Sequence, residues 1–245
     1  MKGAVKGICS SFWGRFLGEE GLSIFLLFLF LSLLLGPFLD RLPSRPINSL
    51  VFTLVMVAGV AKISRCVELR FLAGGAALVA IMLRWLTHLI PSPALERWSS
   101  WASLIFMAVL TCVVLMQVFM EERQVTAHLI RGAIAAYLLF GITWSILYTL
   151  LDQTIPGAFT MNVPAGAERQ ERFVYFSFVT LTTVGYGDIT PSHDISRMFA
   201  VAEALVGQLY PATLLARLVS LEASHEERGG SRVPWDGDGK GGEGC

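Results

Sequence analysis

Charge is scarce in this sequence: Asp, Glu, Lys and Arg make up 16% of 245 residues, against 54% hydrophobic ones. With a mean hydropathy of +0.60, there are too few polar residues to cover a soluble domain of this size. The nineteen acidic and nineteen basic residues cancel, so net charge points neither to nucleic acid nor to an acidic substrate. The four cysteines (Cys9, Cys66, Cys112, Cys245) lack any C-x-x-C or zinc spacing. Cys112 lies in an apolar run and reads as a small hydrophobe, while the other three fall in segments assigned to the cytoplasm, where disulfides are not expected. G-x-S-x-G, P-loop, H-E-x-x-H and paired-carboxylate patterns are absent, and His88, His128, His193 and His225 are scattered. No enzyme chemistry and no cofactor are expected.

What the chain has is long uncharged runs. Gly21–Leu39, Pro46–Ala61, Phe71–Leu83 (continuing past Arg84 to Ile90), Trp98–Met120 and Gly132–Leu151 are followed by Met198–Ala216, interrupted only by Glu203. A bilayer core of about 30 Å takes roughly 20 helical residues, so these read as six transmembrane helices, the second being short. Gly21–Leu39 is longer than a signal-peptide core and is followed by no small-x-small cleavage site, which favours a retained span. With the N-terminus inside, twelve Lys and Arg fall in cytoplasmic segments and six in outer ones. This bias predicts two cytoplasmic termini and residence in the plasma membrane.

The stretch Asp152–Ser196 between the last two spans is too long for a turn, yet it contains the aromatic, apolar run Phe173–Thr183. Irregular backbone at membrane depth survives only when buried in protein or lining a wet cavity. A re-entrant loop follows: an exposed turret over Asp152–Gln170, a short helix over Glu171–Thr182, then an extended Gly-containing segment. The expected organisation is a cytoplasmic segment 1–20, a four-helix peripheral domain 21–120, a linker helix 121–131, a pore domain 132–221 and a disordered tail 222–245. One re-entrant segment with no second copy cannot close a ring alone.

At Thr180-Leu181-Thr182-Thr183-Val184-Gly185-Tyr186-Gly187-Asp188 the sequence closely resembles the selectivity filter of potassium channels. The resemblance runs from Gly132 to Leu221. It implies an all-α membrane protein with a re-entrant pore helix and filter, assembling as a homotetramer among membrane lipids. In such filters rings of carbonyl oxygens replace the hydration shell of potassium, here the permeant ion. The carbonyls of Thr183, Val184, Gly185 and Tyr186, with the Thr183 hydroxyl, would form those rings. Aiming successive carbonyls one way needs alternating backbone handedness, which Gly185 and Gly187 permit. Tyr186 distinguishes potassium channels from less selective relatives with Asp there. Tyr175 and Phe176 stand where the family has paired tryptophans, and with Thr182 they are expected to support the filter. The Tyr175 hydroxyl is expected to reach Asp188, unless both are simply wetted at the outer mouth.

Gly207, nineteen residues after Asp188, matches the family's hinge glycine, and Pro211 follows one turn later. A kink there is expected, with close helix packing as the alternative. Glu203 is ionisable within a span: it either contacts the back of the pore helix near Ser177 or Thr180, or faces the ion path. Gln208 is a candidate cavity residue. The fourth span lacks Lys and Arg entirely, unlike the arginine-rich fourth helix of voltage sensors. Arg84, beside Trp85 and His88, is expected to snorkel toward the headgroups. The sequence leaves a voltage-gated or a weakly selective channel as the alternatives.

Overall fold

A computed structural model of the chain describes residues 25–31, 46–62, 67–120, 127–162 and 169–230. The apolar runs are helical wherever they are described: α1 (25–31), α2 (Pro46–Lys62), α3 (Val67–Leu89), α4 (Pro93–Met120), α5 (Ala127–Thr154), α6 (Arg169–Leu181) and α7 (Asp194–Gly230). Punctuation residues set the boundaries. Pro91 follows the end of α3, and Pro93 opens α4, where a missing N–H costs nothing. The Ser92 carbonyl accepts the first bond of α4, from Glu96 N at 3.0 Å. After α5 the chain turns at Pro156-Gly157, with Gly157 at φ 74°.

Three described helices, Pro93–Met120, Leu129–Thr154 and Asp194–Ala223, are long and apolar enough to cross a membrane. Ala73–Leu89 is a shorter apolar stretch, and α2, at 17 residues, reaches about 25 Å. The protein is therefore a mostly helical membrane protein. Of the first expected span, Gly21–Leu39, only residues 25–31 are described.

Several expected boundaries move. The chain is not purely helical: β1 (Phe159–Met161) pairs antiparallel with β2 (Ile189–Pro191), Thr160 opposite Thr190. This ribbon clamps the two ends of the re-entrant loop together. The expected exposed turret is partly core, because Ala158 and Phe159 are buried against Tyr148 and Phe173, and residues 163–168 lie outside the described residues. The short helix expected over Glu171–Thr182 runs Arg169–Leu181. Residues 127–131 belong to α5 and not to a separate linker helix; 121–126 lie outside the described residues. The expected disordered tail is helical to Gly230, continuing a helix whose Leu218 and Leu221 pack on Leu129 and Ala133 of α5. Residues 1–24 and 231–245 lie outside the described residues.

Two buried clusters position the loop. One joins α1–α4 to α5 through Phe25, Met56, Phe106, Leu110 and Leu139. The other gathers Tyr148, Phe159, Phe173 and Phe176 behind α6. On α7, by contrast, Met198, Val201, Leu205, Leu209, Leu215 and Val219 are all exposed, forming an apolar stripe that no described residue covers.

Candidate functional site

The segment after α6 takes its shape from that helix. Thr182 N donates to Phe178 O (3.0 Å), Thr183 N to Thr180 O (2.9 Å), and Val184 N to Val179 O (3.0 Å). With its N–H groups turned back to α6, the backbone alternates: Thr183, Gly185 and Gly187 have φ of 60°, 60° and 79°, and the residues between them do not. No backbone N–H among the described residues donates to the carbonyls of Thr183 through Gly187. Thr182 through Gly187 are exposed in the single chain. A left-handed Thr183 is costly without a compensating environment, and its hydroxyl lies 3.3 Å from Gln208 Nε2 on α7.

The outer end of the segment is tied down by polar and aromatic contacts. The Tyr175 hydroxyl donates to Asp188 Oδ2 at 2.7 Å, and this bond pushes the phenol's pKa up to about 12. Ile189 N donates to Asp188 Oδ1 at 3.0 Å, and Asn162 N to the Asp188 carbonyl at 2.8 Å. The Tyr186 ring stacks on Tyr175, centroids 6.5 Å apart and planes within 2°. Phe176 does not share that contact. It is buried in the opposite direction, edge-on to Tyr148 at 5.0 Å and Phe159 at 5.6 Å. Two successive helical residues point about 100° apart, so the pair divides between mouth and core. Thr182 bonds its hydroxyl back to Phe178 O at 2.6 Å, capping α6.

Behind α6, Glu203 is fully buried. Its Oε2 accepts from the Tyr148 hydroxyl at 2.7 Å, and its Oε1 lies 2.5 Å from Ser177 Oγ. Ser177 Oγ is also 2.8 Å from the Gly141 carbonyl. One hydroxyl carries one hydrogen, so both Ser177 contacts are bonds only when the Glu203 carboxyl supplies the second. Of its two open placements, Glu203 takes the one behind α6, at Ser177. Gly141 is required by the same packing: a Cβ there would meet the Phe178 ring at 2.5 Å.

At the inner end, a Cβ on Gly207 would sit 2.0 Å from the Leu181 carbonyl oxygen. The glycine is where α7 crosses the end of α6, and α7 is continuous through both Gly207 and Pro211. Close helix packing thus accounts for Gly207. Tyr137 donates to the same Leu181 carbonyl at 3.2 Å.

Arg84 lies near the end of α3 and is held by two contacts. Its guanidinium lies over the Phe52 ring at 4.4 Å and donates through Nη2 to Gln170 Oε1, on the first turn of α6, at 3.0 Å. Sequence reasoning missed Tyr148, Gly141 and Gln170 because each lies in a run with no polar periodicity of its own.

Residues 137–223 match the family model described as an ion channel. The chain carries an ion-channel domain. Its relatives include Protein LctB of Bacillus caldotenax, 34% identical over 87 residues, which is 34% of this chain and 64% of that one. The two pore potassium channel c of Oryza sativa subsp. japonica is 36% identical over 85 residues, 35% of this chain and 17% of that one. The voltage-gated delayed rectifier potassium channel KCNH5 of Homo sapiens is 40% identical over 48 residues, 20% and 5% of the two chains. The chain resembles potassium channels and spans less than two thirds of the length of the LctB proteins it matches. The ion-channel domain begins within α5 and includes α6, the loop and most of α7, so Glu203, Tyr148 and Ser177 all fall inside it.

Proposed function

We propose that four copies of this chain surround a potassium-selective pore in the plasma membrane, lined by Thr183, Val184, Gly185, Tyr186 and Gly187, with both termini cytoplasmic. The observation that carries this reading is the alternating left-handed backbone at Thr183, Gly185 and Gly187. Alternation turns successive carbonyls to one side; among the described residues no backbone N–H donates to them, and the segment is exposed. Four such strands around an axis supply stacked oxygen rings that substitute for water around potassium. The exposed apolar stripe of α7 fits contact with neighbouring copies in a cyclic, heterologous arrangement. Negative partial charge at the C-terminal end of α6 favours a cation at the inner end of the filter.

Selectivity rests on the filter's width being held, which the Tyr175–Tyr186 stack and the Tyr175–Asp188 bond support. The test is the reversal potential of reconstituted protein in mixed potassium and sodium. It should follow the potassium gradient, and Tyr186→Asp should erode that preference by replacing a stacked ring with a hydrated carboxylate. Equal sodium permeation through the unmutated protein sinks the proposal. The uncharged fourth span further supports gating by a stimulus other than voltage.

A further inference from the structure

The outer end of the helix bundle holds a polar pocket of about 280 Å³ in an otherwise apolar assembly. It lies where α3 ends, α4 and α6 begin and α5 ends, and its walls include Arg84, His88, Ser100, Gln153, Arg169 and Gln170. A smaller extension of about 20 Å³, room for one water, continues inward between Arg84, Ser99, Ser100 and Ser103. We propose that this pocket binds a phosphate group, carried by a lipid headgroup or free in solution.

Four observations converge on an anion of that size. Arg84 is pre-positioned: the Phe52 ring under its guanidinium and the 3.0 Å bond to Gln170 fix its planar fork at the pocket wall. Fixed forks of this kind match phosphate oxygens. Ser103, 2% exposed, has no hydrogen-bond partner for its hydroxyl among the described residues, and a hydroxyl can donate to an anion or a bridging water. Buried polar atoms left unpaired point to a guest, water or ligand. Third, two helix N-termini, of α4 and α6, face the pocket, each carrying a positive partial charge. Fourth, Trp85, Trp98 and Trp101 are exposed at the same end of the bundle, as aromatic side chains are at headgroup depth. Glu96 is the one acid in the lining; it sits at the exposed rim, away from the buried extension. Arg169 also lines the pocket and is bridged to Asp152 at 3.2 Å.

The consequence reaches the filter side of the protein. Gln170 opens α6, so a phosphate that draws on Arg84 alters what holds the start of that helix. Binding is nonetheless testable without any measurement of conduction. Native mass spectrometry of the full chain in detergent, titrated with phosphatidylglycerol, should retain up to one lipid per chain. Diacylglycerol with the same acyl chains should not be retained. Arg84→Gln should weaken the lipid's apparent Kd by at least about tenfold, since a charged bidentate partner is lost. Ser100→Phe, which fills the pocket from its rim, should do the same and carries the test should Arg84→Gln fail to fold. Competition by millimolar inorganic phosphate would assign the site to free phosphate, and its failure to compete would assign it to the headgroup; either result fits a phosphate site. Retention of diacylglycerol as strong as that of phosphatidylglycerol would overturn the proposal, as would wild-type affinity in both variants.

Discussion

Glu203 is a carboxyl with no exposed surface in the middle of a membrane-spanning helix, and its described partners are two hydroxyls, Tyr148 and Ser177. Burying such a group costs several kcal/mol unless it is neutral or fully hydrogen-bonded. Glu203→Ala would leave the Tyr148 hydroxyl without its acceptor and Ser177 without its donor, and open a cavity, a loss of about 2–4 kcal/mol. Glu203→Gln keeps the shape, one acceptor and a donor for Ser177, and should cost less than about 1 kcal/mol. Thermal unfolding of the purified assembly separates the two, and equal losses would refute the donor assignment. At the mouth, Tyr175 and Asp188 act as a pair. Tyr175→Phe and Asp188→Asn should be non-additive by more than about 0.5 kcal/mol in a double-mutant cycle. Because the phenol's pKa is raised from 10.0 to about 12, its stabilising contribution is complete below pH 10 and fades as pH rises through 12. Stability that falls between pH 6 and 9 in a Tyr175-dependent way would contradict this. The alternating backbone of Thr183–Gly187 was legible in the sequence because two of its three left-handed positions are glycines, which adopt that conformation without a Cβ clash. Ser177 was legible as one of two partners for Glu203. Tyr148 was not, since a tyrosine inside an apolar run carries no sign of which face it occupies.

At the scale of elements, the crossing of α6 and α7 is set by a single missing side chain. The 2.0 Å approach to the Leu181 carbonyl is to backbone, so no rotamer change relieves it. Gly207→Ala should force the helices apart and destabilise by about 1–3 kcal/mol or more, with the filter base displaced. If the variant instead keeps full stability and only its opening kinetics change, the hinge reading outweighs the packing one. A second link sits at the other end of α7, where Arg217 donates to the last carbonyls of α4, at Val118 and, at 2.9 Å, Phe119. The cation thus caps a helix C-terminus, where orphan carbonyls and the dipole both favour it. The apolar runs made most helices legible, because length and hydropathy alone decide them in a bilayer. The β1–β2 ribbon was not legible. Two three-residue strands on opposite sides of α6 have no local pattern, and their pairing follows from the helix bringing them together. The helical continuation of α7 past Leu221 was hidden for a similar reason, since Leu218 and Leu221 gain their partners on α5 only in three dimensions.

For the whole molecule, the question is whether α1–α4 sense voltage. Six spans, if all are formed, would be the layout of a sensor-bearing channel, and the voltage-gated KCNH5 channel is similar over 48 residues, 5% of its length. Sensing needs charge that moves through the field, worth about 2.3 kcal/mol per elementary charge per 100 mV. A steep response uses 3–4 such charges in each subunit, roughly 12–16 per tetramer. Across Trp98–Met120 this chain has no Lys, Arg, Asp or Glu. Arg84, the basic residue within the earlier spans, does not face open lipid; the Phe52 ring and Gln170 hold it in one position. Moving it would break the bond to α6 and unstack the ring, so it is a brace between α2, α3 and α6. The extensive packing of α4 on α5 through Phe106, Leu110 and Leu139 resists sliding in the same way. Conductance–voltage curves in symmetric potassium should therefore be shallow, with an effective gating charge far below 12. Arg84→Gln should lower stability without changing the slope. A steep curve that flattens in Arg84→Gln would make Arg84 a moving charge and overturn the static reading of α1–α4.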